Sequence, residues 1–169
     1  MKRELTLADV IGYLPYRLHC IKPSGFINIW AGIKGFYYPD LPDNMGKPIL
    51  RPMSDLYVEI TERGYNDGKA FIPIAELANI VEKQESAQWI FEQADKRMYS
   101  CYWKDWFLWE HEWKTFIRTD SLNSSTACII TCSYKLYDFL CRLHFDYRGL
   151  IDDGSAINVH DLPKNPYEA

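Results

Sequence analysis

Cys128, Cys132, Cys141 and His144 give the spacing C-x3-C-x8-C-x2-H. Thiolate and imidazole ligands are what a tetrahedral zinc ion accepts. Structural zinc sites, however, set two tight ligand pairs across a longer loop. Here the first pair falls on a segment that reads as a strand and the second on a helix face. The spacing therefore favours small buried cysteines, and neither a metal nor a cofactor is expected. The five cysteines (Cys20, Cys101, Cys128, Cys132 and Cys141) sit in apolar surroundings, as buried thiols do in a reducing compartment.

Glu110-His111-Glu112 brings two carboxylates beside an imidazole. On a strand the two Glu side chains share one face and His111 points to the other, so they cannot act as a triad. The second histidine of H-E-x-x-H is missing, and a solvated strand face is the better account. Asp146, Asp152 and Asp153 lack the ligand spacing of a calcium loop and suit capping and turn roles. The chain contains no G-x-x-x-x-G-K-[ST], G-x-G-x-x-G or G-x-S-x-G, which weakens nucleotide-binding and acyl-hydrolase readings.

Other residues are candidates for binding. Trp103, Trp106, Trp109 and Trp113 hold four of the six tryptophans, interleaved with Lys104, Lys114 and Arg118. Aromatics with cations can stack single-stranded bases. Asp105, Glu110 and Glu112 offset that charge, which favours a core or a protein interface. Ile74 to Arg97 reads as two helices, a possible helix-turn-helix. Only Gln84 and Gln88 offer outward amides, with Lys96 and Arg97 at the far end, so packed helices without DNA contact are preferred. Arg51, between Pro48 and Pro52, is held in extended backbone. It either pairs with Asp55 or another carboxylate, or marks a binding surface. Asp146 and Arg148 have no evident packing role and join the candidates.

These side chains need a scaffold. The chain has 169 residues, 47% apolar and 25% charged, enough for a sizeable core. Aromatics at 15% argue against disorder. A net charge of −4 lacks the basic excess of a duplex-binding domain. No apolar run approaches the roughly 20 residues of a membrane span, and the N-terminus has no apolar signal core. A cytoplasmic location is expected.

Thr6 caps a short helix, with Asp9 in its first turn and Leu7, Val10, Ile11 and Leu14 as its apolar face, ended at Pro15. Strands are expected at 17–21 and within 26–38, with a loop at 39–48. Ile49–Arg51 is extended, and Ser54 or Asp55 caps a short turn. Asn66-Asp67-Gly68 predicts a hairpin within 57–72. Pro73 opens a helix with Ile74, Leu77, Ala78 and Val81 inward, and Ser86 caps a second with Ala87, Ile90, Phe91 and Ala94. Residues 99–118 fit either a helical stripe (Trp106, Trp109, Trp113, Phe116) or one alternating strand face (Phe107, Trp109, His111, Trp113, Thr115, Ile117). Aromatic and β-branched enrichment favours strand. A polar turn at 120–125 and a strand at 127–131 follow. The last helix buries Leu136, Phe139, Leu140 and Leu143, and Gly149 with Leu150 fits a Schellman end.

Four islands carry a resemblance: 5–16 (LTLADVIGYLPY), 48–56 (PILRPMSDL), 144–157 (HFDYRGLIDDGSAI) and, more weakly, 71–77 (FIPIAEL), together about a quarter of the chain. They resemble a group of uncharacterised proteins common in Bacteroides phages, prophages and other mobile elements. Relatives tend to have Trp where this chain has Leu143, and the middle, 84–132, matches little. The resemblance implies a bacterial mobile-element origin and no particular activity.

The sequence thus predicts an α+β single domain over 1–162, built of short antiparallel strands with several packed helices, and a flexible tail at 163–169. The leading functional expectation is a non-enzymatic accessory protein acting through a protein partner. A nucleic-acid binder using 103–113 comes second, and an enzyme with an unrecognised site third.

Overall fold

The computed structural model describes residues 5–30, 46–81, 89–92, 97–100, 105–119, 128–130 and 134–168. The fold is α+β. The chain divides into two compact units, one made of Met1–Met53 with Leu140–Ala169 and the other of Ser54–Phe139. Among the described residues no helix is long and apolar enough to cross a membrane.

The first unit starts with α1 (Leu7–Val10). Asp9 is buried, and its Oδ2 accepts from the Thr6 amide at 2.9 Å and the Thr6 hydroxyl at 2.7 Å. This reciprocal cap fixes the helix start. The helix is shorter than expected. It passes through a turn into a 3-10 segment at Leu14–Tyr16, where Pro15 fits the first turn. Tyr13, rather than Ile11, completes the buried face with Val10 and Leu14, and Ile11 is exposed.

Four strands follow: β1 (Leu18–Ile21), β2 (Ile27–Trp30), β3 (Lys47–Leu50) and, near the C-terminus, β9 (Ile157–Asn158). Their order is β2-β1-β3-β9, antiparallel except for the parallel β3–β9 pair. Alternation divides the side chains between two faces. Leu18, Cys20 and Leu50 join Val10, Tyr13, Leu14, Cys141, Leu150 and Ala156 in one core. Ile49 joins Val159 and Tyr167 in a second. Gly46 has φ +80° and lies so close to the Ile21 carbonyl that a Cβ would collide with it. Only glycine serves there.

The second unit holds α2 (Pro73–Val81), which buries Ile74, Leu77 and Ala78 as its spacing predicts, with Pro73 buried as well and Val81 only half-buried. Ile60 and Phe71 form one antiparallel bridge around the Asn66-Asp67-Gly68 turn. The predicted hairpin is therefore reduced to a single pair. A five-stranded antiparallel sheet runs β4 (Trp89–Glu92), β5 (Arg97–Ser100), β6 (Asp105–Glu110), β7 (Thr115–Thr119) and β8 (Cys128–Ile129) in that order.

The predicted helix from Ser86 is overturned where it can be seen, because Trp89–Glu92 is strand. Ile90 pairs with Tyr99 and Phe91 with Met98. Cross-strand contacts outweigh the helical spacing of a short apolar run. The helix-turn-helix reading falls with it. The strand reading of 99–118 holds over the described residues, 99–100 and 105–118, with one correction. A turn at 111–114, with Lys114 at φ +48°, folds the segment back, so Trp109 pairs with Phe116. Ile117 instead pairs with Leu108, on the opposite face from Trp109. The expected turn at 120–125 lies outside the described residues.

The helix α3 (Tyr134–Arg142) buries Leu136, Phe139 and Leu140, with Leu143 just beyond, and exposes Lys135, Asp138 and Arg142. Its end differs from expectation. His144, at φ +61°, occupies the left-handed C′ position in place of Gly149. The Phe145 amide donates to the Leu140 carbonyl at 2.9 Å and the His144 amide to the Cys141 carbonyl at 3.1 Å. Those two bonds, with Phe145 and Leu140 both buried, make a Schellman motif five residues before the predicted one.

Candidate functional site

The Schellman turn delivers His144 into the first unit beside Arg51. Arg51 extends β3 by one residue. Its amide donates to the His144 carbonyl, and its carbonyl accepts from the Asp146 amide, both at 2.8 Å. The extended backbone expected between the prolines is what lets this parallel bridge form. The Arg51 side chain is 1% exposed.

His144 is also buried. Its Nε2 lies 2.8 Å from the Tyr16 carbonyl, so that nitrogen carries the proton and donates. Burial, aided by the Arg51 charge and by His19, pushes the imidazole down to about 3 against the single bond that favours its charged form. The ring is neutral at physiological pH.

Tyr167 stacks on His144 at 3.9 Å between centroids and meets the His19 ring edge-on at 4.9 Å. Its hydroxyl accepts from the His19 amide at 3.1 Å and donates to the Ile49 carbonyl at 2.7 Å. The β1–β3 register pairs Cys20 with Pro48 and Ile21 with Lys47, so His19 and Ile49 are the next partners in line. Tyr167 places its oxygen where the ladder stops and bridges the two strands there. The tail read as frayed is thus tied down at Tyr167, which is 2% exposed. The sequence offered a signal for this. Asn165-Pro166 is turn-forming, and Asn165 Oδ1 accepts from the Tyr167 amide at 3.0 Å.

Asp146 gains a role that the sequence did not reveal. Its Oδ1 accepts from the Leu150 amide at 2.8 Å and its Oδ2 from the Ile151 amide at 2.7 Å. Burial raises its pKa, opposed by these amides and that of Gly149. The carboxylate closes the loop after α3. Asp146→Asn would turn an amide N–H₂ toward backbone donors. A loss of about 1–3 kcal/mol is expected in chemical denaturation, the cost of an unmet buried group; an unchanged midpoint would remove the loop-closing role. Arg148 donates from Nε to the Tyr147 hydroxyl at 3.1 Å, and Tyr13 donates to the Phe145 carbonyl at 2.8 Å.

The tryptophans do not form one surface. Trp103 lies outside the described residues. Trp106 is half-buried, 4.5 Å from the Tyr99 ring, with the Arg97 guanidinium 3.6 Å from its ring centroid. Trp109 is 3% exposed, on the opposite face, and packs edge-on against Phe116 at 4.9 Å. Its amide donates to the Tyr57 hydroxyl at 3.0 Å. Trp113 is 56% exposed, in the turn between β6 and β7.

Of the possible zinc ligands, Cys132 lies outside the described residues. Cys128 and Cys141 belong to different units, and His144 has its Nε2 engaged. Glu110 Oε1 accepts from the Glu112 amide at 3.1 Å, and His111 is exposed beside them. Asp153 caps the Ser155 amide at 2.9 Å. Among the buried residues of this cluster, His144 and Asp146 thus bind backbone groups.

No family model matches the chain, and neither a curated protein nor a solved structure is significantly similar to it.

Proposed function

We propose that this chain is a non-enzymatic accessory protein of a bacterial phage or mobile element, acting in the host cytoplasm through contacts with another protein. The sequence islands shared with the Bacteroides mobile-element group support the origin. One structural observation carries the mode of action. Ile27 and Ile29, 45% and 47% exposed, stand side by side on one face of β2. Large apolar side chains grouped on one strand are a feature of interaction surfaces.

Affinity capture from a Bacteroides host lysate, with heat-denatured chain as the control, tests this. A protein retained by the folded chain and absent from the control is expected. No partner, together with clear turnover in a broad enzyme screen, would overturn the reading.

Binding of single-stranded nucleic acid is the second reading, favoured by Trp113 and by the Tyr99–Trp106 pair. Arg97 already covers one face of Trp106, and Trp109 is buried, which leaves little ring surface for bases. Salt-dependent binding of an oligonucleotide, lost in Trp106→Ala and Trp113→Ala, would promote it over the first.

A further inference from the structure

The C-terminal segment 162–168 is held on the first sheet through one side chain. Within it Tyr167 alone is buried. Pro163, Lys164 and Glu168 are exposed, and Leu162, Asn165 and Pro166 are half-buried. The Asn165 side chain accepts from the Tyr167 amide and donates to the Glu168 carboxylate, both at 3.0 Å. The turn around Tyr167 is thus built from the segment's own residues. Attachment to the sheet runs through the Tyr167 ring, stacked on His144, and through its hydroxyl between the His19 amide and the Ile49 carbonyl. A segment with one buried anchor opens at lower cost than the sheet beneath it.

That anchor closes over a titratable group. The backbone of His144 is tied on both sides, its amide to the Cys141 carbonyl and its carbonyl to the Arg51 amide. The ring therefore cannot reach water by a simple backbone swing. Its Nε2 edge meets the Tyr16 carbonyl, and Tyr167 lies against one ring face with the planes 13° apart. Each neighbouring element faces the imidazole with a polar, charged or aromatic group. The 3-10 segment brings the Tyr16 carbonyl, β1 the His19 imidazole, the end of β3 the Arg51 guanidinium and the C-terminal segment the Tyr167 ring. The Arg51 guanidinium carbon is also 5.8 Å from the Tyr167 centroid, so a cation already faces that ring. Asp146, two residues on, has its carboxylate turned to the Leu150 and Ile151 amides.

Loss of water from the charged ring is the main reason that the His144 imidazole is pushed down to about 3, and Arg51 and His19 add to it. Water returns to the ring face when Tyr167 lifts off. The open form then binds a proton that the closed form refuses, and falling pH favours the open form.

We propose that 162–168 is a proton-released strap: protonation of His144 undocks Tyr167 and uncovers a slot formed by Ile49, Val159 and the His19 and His144 imidazoles, while the first sheet stays folded. At neutral pH the strap fills this slot as an intramolecular ligand. The device is independent of the protein-contact reading.

Native-state hydrogen exchange of the full chain tests it, read by amide NMR at pH 7, 6 and 5 and corrected for the intrinsic exchange rate. The His19 amide reports undocking directly, because the Tyr167 oxygen is its acceptor. Its opening equilibrium should rise up to about 25-fold from pH 7 to pH 5, the ratio allowed by 6.5 in the open form and about 3 in the closed form. At each pH the His19 amide should open more often than the Leu140 amide within α3, and should not respond to low urea, as a local opening does not. His144→Asn should abolish the pH response, and His19→Gln should keep it at the same backbone position. Exchange at His19 that matches Leu140 and shares its urea dependence overturns the strap, because the two then open only together. A flat wild-type profile overturns it, as does a slope that His144→Asn leaves unchanged. Cooperative unfolding of the whole chain before the His19 amide is released does so too.

Discussion

Tyr167→Ala is expected to destabilise the first unit by about 3–5 kcal/mol, the range for removing a large buried aromatic. Tyr167→Phe isolates the hydroxyl from the ring. Phe preserves the stack on His144 and the edge contact with His19, and loses the bridge between the His19 amide and the Ile49 carbonyl. The Ile49 carbonyl is buried, and the strands have already parted beyond Cys20–Pro48, so neither backbone group meets the other directly. One donor and one acceptor are left unmet, at about 1–3 kcal/mol for a buried group. A loss of about 2 kcal/mol in urea denaturation follows for Tyr167→Phe. Faster exchange of the His19 amide should accompany it. Equal stabilities for wild type and Phe, with His19 exchange unchanged, would show that the hydroxyl does not join the strands.

The parts of this fold that were legible in the sequence are those decided within a few residues. Thr6 and Asp9 form their cap because both partners sit in one turn. The stripes of α2 and α3 follow from 3.6-residue spacing on segments long enough to show it. Arg51 is extended because Pro52 leaves it little else. Features decided by remote partners were hidden. Trp89–Glu92 has the apolar content of a helix, and its strand identity comes from β5. His144 does not announce a left-handed residue as Gly149 does. It takes that conformation because its ring is buried against Tyr167, more than twenty residues later in the chain. Asp146 looked free for binding because the amides it caps belong to a loop whose path depends on Gly149. The tryptophans alternated over 107–117 as though on one strand, and a turn at 111–114 separated them. The candidate surface at β2 was legible as apolar strand only.

The stability of the chain should fall as pH drops from 7 to 5, with His144 as the main cause in that window. In the folded state the imidazole titrates at about 3, against 6.5 for the unperturbed group. Above the unfolded value both states hold the ring neutral, and it contributes no slope. Below it the unfolded chain takes up a proton that the folded chain refuses, so stability is lost progressively until the folded value is reached. Each pH unit in that interval removes at most about 1.4 kcal/mol. Between pH 7 and pH 5 this sums to about 2 kcal/mol. Protonation is disfavoured first because burial strips the charged ring of water, and then because it would place a second cation beside Arg51, with His19 and Tyr167 also facing it. The Tyr16 carbonyl is already satisfied by the neutral ring. Asp146 acts in the opposite sense, since its raised pKa stabilises the fold below the carboxylate range. Asparagine tolerates the left-handed C′ position, so His144→Asn retains the helix end while removing the titrating ring. The variant should be less stable at pH 7 and show a nearly flat profile from pH 7 to 5, where wild type slopes downward. Parallel slopes would show that the proton is taken up elsewhere and that His144 is not held neutral.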